Sequence, residues 1–367
     1  MLYEFLYSLK ENFSPLNIFQ YITFRSASAA ILALIISFFI GPAIIKMLRK
    51  YQIGEEIRDE GPESHKAKKG TPTMGGIIIL MSILIPTLLL GDLKNRFVQI
   101  LLISTVWMGF IGFIDDYLKT ILKIKKGLVA KYKLMGQIIL GIIIIFIIYS
   151  TPEWESIRSV TSIPFLKDSN LDFGIFYPLM IILVITGTSN AVNLTDGLDG
   201  LAAGLLAISF SVFAAIAYIS GRVDFSDYLN IIYLPGAGEL TIFSAACVGA
   251  CIGYLWYNAA PAEIFMGDVG SLSTGAALGT LALLLKKELL LIITGGVFVA
   301  EALSVILQVG YFKYTKKING EPKKLFKMAP IHHHFELKGV PESRVVIRFW
   351  IIGLLLALFS LTTFKIR

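Results

Sequence analysis

The feature that most constrains this chain is a recurrence of apolar stretches, each roughly 18–22 residues long, separated by short polar loops. A helix needs about 20 such residues to cross a bilayer core of ~30 Å. In hydrocarbon every backbone group must be satisfied within its own segment, so such stretches fold as membrane helices. Ten are read, near 26–48, 74–91, 97–115, 133–150, 175–193, 198–219, 240–257, 270–286, 289–312 and 345–364. The second and eighth differ from the rest in being short or glycine-rich. Only 16% of the 367 residues are charged, against about 25% in soluble chains. No long polar segment remains for a second domain. The expectation is an all-α polytopic membrane protein: a bundle of about ten transmembrane helices forming one integral-membrane domain over residues 1–367. Residues 1–25 lack a cleavable-signal pattern, so no processing is expected.

Charge sets the expected orientation. The loops after spans 1, 3 and 9, with their flanks, carry twenty lysines and arginines, and the opposite side carries eleven. The richer side is expected to be cytoplasmic. Both termini then lie outside, as an even number of spans requires. The net charge of +7 is read as loop lysines meeting anionic lipid rather than nucleic acid. Cys247 and Cys251 share a helix face, where two thiols alone make no metal site and pack as small apolar groups.

Polar residues in or beside membrane spans are costly, and they mark function by default. Asp115 and Asp116 lie in GFIDDYLK at the end of span 3. Adjacent carboxylates repel and need cations or a shared proton, which suits a magnesium site or a general base. Solvated acids ending a helix are the plainer reading, but the helix dipole opposes carboxylates there. NAVNLTDGLDGLA, residues 190–202, places Asn193, Asp196 and Asp199 three apart. If span 6 begins near Thr195, both aspartates project from one face of its first turn. A helix cap explains one of these side chains but not three. Asp268 stands between glycines in NAAPAEIFMGDVGS, a weak signal alone. MAPIHHHFELKG holds His332, His333 and His334. Consecutive histidines cannot all face one ion from a regular helix, so contact with phosphate is preferred to a zinc cage. KAKKGTPTMGG offers lysines and glycines, yet its lysines precede the glycines and it is no P-loop.

These five motifs fall on loops 1, 3, 5, 7 and 9, all on one expected face. Acids for a metal, with lysines and histidines for phosphate, would converge there beside the lipid.

At these residues a family resemblance emerges. GTPTMGG, FIDDYLK, NLTDGLDGLA, NAAPAEIFMGDVGS and MAPIHHHFELKG together resemble the polyprenyl-phosphate N-acetylhexosamine-1-phosphate transferases. The likeness runs from about residue 40 to 350. GTPTMGG and HHHFELKG point to the muramoyl-pentapeptide branch rather than the N-acetylglucosamine branch. The resemblance implies transfer of phospho-MurNAc-pentapeptide from its UDP carrier to undecaprenyl phosphate, giving lipid I and UMP with Mg²⁺. It implies a multi-pass protein of the bacterial inner membrane, active on the cytoplasmic side and homodimeric. It makes Asp268 the magnesium ligand and Asp115 and Asp116 catalytic. It places Lys68, Thr73, Asn193, Asp196, Asp199, Asn258, Phe265 and Gln308 around the nucleotide-sugar. His332, His333 and His334 complete the site, with His332 as the essential member.

Three other readings compete. A secondary transporter also places glycines and polar groups at helix breaks, but its sites lie near the midplane. Here span centres are nearly free of ionisable groups, Glu301 excepted, and no role for Glu301 is evident. A sibling enzyme taking UDP-GlcNAc is the nearer rival. An inactive scaffold would leave the convergent acids unexplained.

Overall fold

The computed structural model describes residues 2–11, 13–51, 70–124, 127–166 and 170–364. Its helices are α1 (Leu2–Ser8), α2 (Ile22–Lys50), α3 (Gly76–Leu90), α4 (Arg96–Thr120), α5 (Ala130–Tyr149), α6 (Tyr177–Thr195), α7 (Leu201–Ser220), α8 (Val223–Leu229), α9 (Glu239–Asn258), α10 (Gly267–Leu284), α11 (Glu288–Thr294), α12 (Gly296–Asn319), α13 (Ile331–Glu336) and α14 (Glu342–Thr362). Strands β1 (Val160–Ser162) and β2 (Asn170–Asp172) pair antiparallel between α5 and α6.

Ten helical regions coincide with the ten expected stretches, but two are not ordinary spans. Among the described residues, eight helices are long and apolar enough to cross a membrane: α2, α4, α5, α6 with its leading turn, α7, α9, α12 and α14. Helix α3 has 15 residues, about 22 Å of rise, and falls short of a ~30 Å core. Helix α10 is long enough but too poor in large apolar residues to count.

The physical reason is position. Helix α10 packs against α3, α4, α6, α7 and α11, and every residue after its first is buried. A helix surrounded by helices gains nothing from bulky lipid-facing side chains; small residues let backbones approach closely. Gly76 and Gly270 meet where α3 crosses α10, and a Cβ on Gly76 would overlap the Gly270 backbone. Gly112 of α4 lies equally close to the Asp268 carbonyl.

Buried charges pin the bundle at the end away from the polar motifs. Arg25 of α2 grips Glu239 of α9 with two guanidinium bonds of 2.9 and 2.6 Å, and also donates to the Leu90 carbonyl at the end of α3. Nearby, Glu288 of α11 accepts from Tyr177 at 2.5 Å and from Thr161, and Lys287 donates to Ser162 at 2.6 Å. These bonds fasten the β1–β2 hairpin to the helices. Cys247 and Cys251 are buried in α9 as free thiols.

Candidate active site

The other end of the bundle gathers the polar motifs. Helix α4 continues a full turn beyond the expected end of its span, so Asp115 and Asp116 lie within it rather than at its terminus. Both are buried, as is Asp268 in the first turn of α10. One carboxylate oxygen from each of the three lies within 4.8 Å of the others.

The two adjacent aspartates face different partners. Asp116 accepts the backbone N–H groups of Asp268 at 3.1 Å and Val269 at 3.0 Å. It therefore caps the N-terminus of α10 from another helix, satisfying donors that no side chain of α10 reaches. Asp115 turns toward cations. Lys133 Nζ lies 2.8 Å from Asp115 Oδ2 and 2.5 Å from Asp268 Oδ2. Lys119, one turn beyond Asp115, contacts the same two oxygens, standing 2.9 Å from that of Asp268. The two ammonium groups thus neutralise carboxylates that burial would otherwise strongly disfavour. The contacts at Asp115 Oδ2 are ionic rather than aligned hydrogen bonds, whereas its Oδ1 accepts the Leu128 N–H at 2.5 Å.

Asn193, in the last turns of α6, orients the third acid. Its amide donates to Asp268 Oδ1 at 2.5 Å and to Ser271 Oγ at 2.8 Å. Thr73 sits close by: a Cβ on Gly267, which has φ +70°, would approach both Asp116 Oδ2 and Thr73 Oγ1. The 72–76 segment runs beside 265–266 through three backbone bonds of 2.8 Å, Phe265 N–H to Pro72 O, Gly75 N–H to Phe265 O and Gly76 N–H to Met266 O. Phe265 is half-buried along this seam. Lys68 lies outside the described residues.

The NLTDGLDG motif departs from its expected shape. Helix α6 runs to Thr195 and α7 starts only at Leu201, so Asp196 and Asp199 do not share a helical first turn. The glycines favour a turn here, and Gly200 takes φ +79°. Asp196 is half-buried just past the end of α6. Asp199 is buried and accepts the Ala262 N–H at 3.0 Å, while its own N–H donates to Glu342 at 2.8 Å. Asn258 accepts the Gly200 N–H at 3.0 Å and donates to the Ile264 carbonyl at 2.9 Å. Asp199 and Asn258 therefore stitch two loops together.

The histidines divide in three directions from the short helix α13. His332 is fully buried, with Nδ1 3.1 Å from Oε2 of Glu301, which is equally buried. This contact is ionic in distance but off the line of a hydrogen bond. The ring's other edge lies against Gly197, where no Cβ fits. His333 pairs with Glu336 at 2.8 Å. His334 Nδ1 accepts the Lys327 N–H at 3.1 Å, and burial, with Lys338 and Lys327, holds its pKa below the ordinary histidine value. Gln308 of α12 binds the Leu325 and Phe326 backbone.

Lys119, Lys133 and Glu301 were not among the site residues read from the sequence. In the sequence both lysines belong to the basic residues of the loop after span 3 and its flanks; the i to i+4 spacing of Asp115 and Lys119 is the one local signal that sets Lys119 apart. Glu301 was visible as an isolated ionisable group in a span, but its partner lies 31 residues on, beyond any local pattern.

Residues 98–286, which hold the three acids and both lysines, match the profile of Glycosyl transferase family 4. Residues 68–80 match phospho-N-acetylmuramoyl-pentapeptide-transferase signature 1. A phospho-N-acetylmuramoyl-pentapeptide-transferase of Thermodesulfovibrio yellowstonii is 54% identical over 367 residues, covering the whole of both chains. The chain belongs to the phospho-N-acetylmuramoyl-pentapeptide-transferase family. Family members from Chloroherpeton thalassium and Chlorobaculum parvum, again matched over the whole of both chains, are 52% and 48% identical. The phospho-N-acetylmuramoyl-pentapeptide-transferase signature covers the 72–76 segment that is bonded to residues 265–266.

Proposed function

We propose that this protein transfers phospho-MurNAc-pentapeptide from UDP-MurNAc-pentapeptide to undecaprenyl phosphate, releasing UMP and forming lipid I. It acts at the cytoplasmic face of the bacterial inner membrane, as a homodimer of one membrane-embedded domain over residues 1–367. In this reading α3 and α10 complete ten crossings and both termini face outward. The basic bias of the loops at the site end supports that orientation. The observation that carries the reading is the buried meeting of Asp115, Asp116 and Asp268 with Lys119 and Lys133.

The three carboxylates fit Mg²⁺, a hard cation that takes one or two protein carboxylates together with substrate phosphates. Asp268 would be its first ligand, with Asp115 beside it. When bound, the ion supplies charge neutralisation at the diphosphate. Asp116, engaged by the α10 backbone, positions Asp268 rather than touching substrate. Asn193 fixes the Asp268 carboxylate. Lys119 and Lys133 hold the acids' charge before substrate binds and turn to the donor phosphates afterwards. Lys68, Thr73, Asp196 and Phe265 line the nucleotide-sugar site. Asp199 and Asn258 shape its floor, and Gln308 with His332, His333 and His334 closes its side.

The reaction is a direct displacement. An oxygen of the undecaprenyl phosphate attacks the sugar-linked phosphorus, a new P–O bond forms, and the bond to UMP breaks. Asp115 accepts the proton of the phosphate monoanion, and the dianion this leaves is a usable nucleophile without further activation. No phospho-sugar adduct should accumulate on Asp115 or Asp116 when acceptor is omitted; intact-mass detection of one would overturn direct attack.

UMP release by the purified protein tests the donor. Release is expected with UDP-MurNAc-pentapeptide, undecaprenyl phosphate and Mg²⁺. Release with UDP-GlcNAc but not with the muramoyl donor would instead assign the sibling activity.

A further inference from the structure

The last three turns of α12 present two unpaired faces. Tyr311, Tyr314 and Ile318 line one, spaced i, i+3 and i+7, and Tyr314 and Ile318 are 63% and 61% exposed. Lys313, Lys316 and Lys317 line another and are also exposed. The next loop adds exposed Lys323 and Lys324, while Glu321 is the one acid between 313 and 327. Among the described residues, none of these five lysines forms an ion pair. The 24 residues of α12 rise about 36 Å, more than a ~30 Å core, so its final turns emerge among the headgroups. An aromatic face beside a lysine face on the same turns suits hydrocarbon on one side and anionic headgroups on the other.

This patch is tied to the site. Thr315 Oγ1 accepts the Lys323 N–H at 2.9 Å. Gln308 holds the Leu325 and Phe326 N–H groups at 3.0 and 2.8 Å. Lys327 N–H donates to His334 at 3.1 Å, and its ammonium donates to the Leu337 carbonyl at 3.0 Å. The loop carrying Lys323 and Lys324 is thus bonded at one end to α12 and at the other to the histidine helix.

We propose that the end of α12 and its following loop form a docking surface for anionic phospholipid of the surrounding leaflet, and that this lipid orders the 321–327 loop and so the histidine side of the active site. A nucleic acid would leave the aromatic face uncovered. A single carrier phosphate would meet too few of five spread charges. The effect on turnover rests on the transferase reading above; the docking does not.

The protein is reconstituted in nanodiscs of phosphatidylcholine alone, or of two parts phosphatidylcholine to one part phosphatidylglycerol. Hydrogen exchange over 321–327 is followed without substrate, and UMP release with it. The comparison variant is K313Q/K316Q/K317Q/K323Q/K324Q. Phosphatidylglycerol should slow exchange and raise turnover of the parent about fivefold, an effect that fades in high salt. The variant should keep the parent's turnover in phosphatidylcholine and lose the response. No slowing of exchange in the parent, or an equal response in the variant, overturns the proposal. A raised KM of the variant for undecaprenyl phosphate in phosphatidylcholine also overturns it, by assigning the patch to the carrier lipid. Slowed exchange without UMP release from any nanodisc would instead sink the transferase reading and leave the docking standing.

Discussion

The Asn193 amide donates to Asp268 Oδ1 at 2.5 Å, joining α6 to α10 across 75 residues of sequence. One carboxylate oxygen is thereby fixed while the other faces Lys119 and Lys133. Partners that orient a metal-binding carboxylate are worth about 10–100-fold in affinity or activity. Asn193→Ala should therefore lose activity by about that factor, and a Mg²⁺ titration of UMP release should show a raised half-saturating concentration. Lost activity with unchanged Mg²⁺ dependence would mean that Asn193 serves substrate alone.

Lys133 bridges Asp115 and Asp268 from α5. If it meets the developing phosphate charge, Lys133→Gln should lower kcat by about 10²-fold or more, the usual cost of removing one such group. Lys133→Arg keeps the charge but not the point geometry and should recover only part of that loss. Steady-state kinetics of both variants check this.

Glu301 contacts His332, which in turn lies against Gly197 beside Asp196. Glu301→Ala leaves the buried ring without its neighbour, and the 196–200 turn should loosen. KM for the UDP-linked donor should rise several-fold, with Glu301→Gln closer to the parent. An unchanged KM in Glu301→Ala would show that the turn holds itself.

At the opposite end, Arg25 and Glu239 are both buried. Removing one partner of such a pair strands a charge at a cost of about 3–5 kcal/mol. Glu239→Ala should sharply lower the thermal midpoint in detergent, while KM for the donor in the surviving protein stays unchanged. A changed KM would mean that the far end communicates with the site.

The sequence made the membrane class, the ten apolar regions and the acidic motifs legible, because those signals are local. That the acidic motifs gather on one face follows from loop parity alone; the burial of Asp115, Asp116 and Asp268 does not. What was not legible depended on packing between distant segments. Helix α10 reads as a weak span because its neighbours are helices rather than lipid, and only the fold reveals that. The same holds for Asp116: neighbouring Asp115 and Asp116 look interchangeable until α10 places its first N–H groups against one of them. The 196–200 turn was misread because capping aspartates suit a helix start as well as a glycine-rich turn.

Asp268 stands where both lysines, Asn193 and the two acids of α4 meet. UMP release from UDP-MurNAc-pentapeptide and undecaprenyl phosphate, measured across a Mg²⁺ titration for the parent and for Asp268→Ala, tests its role. The parent should require Mg²⁺, and Asp268→Ala should fall by about 10²-fold or more at every Mg²⁺ concentration. Near-parental release by Asp268→Ala, with its Mg²⁺ dependence intact, would show that Asp268 does not hold the catalytic ion.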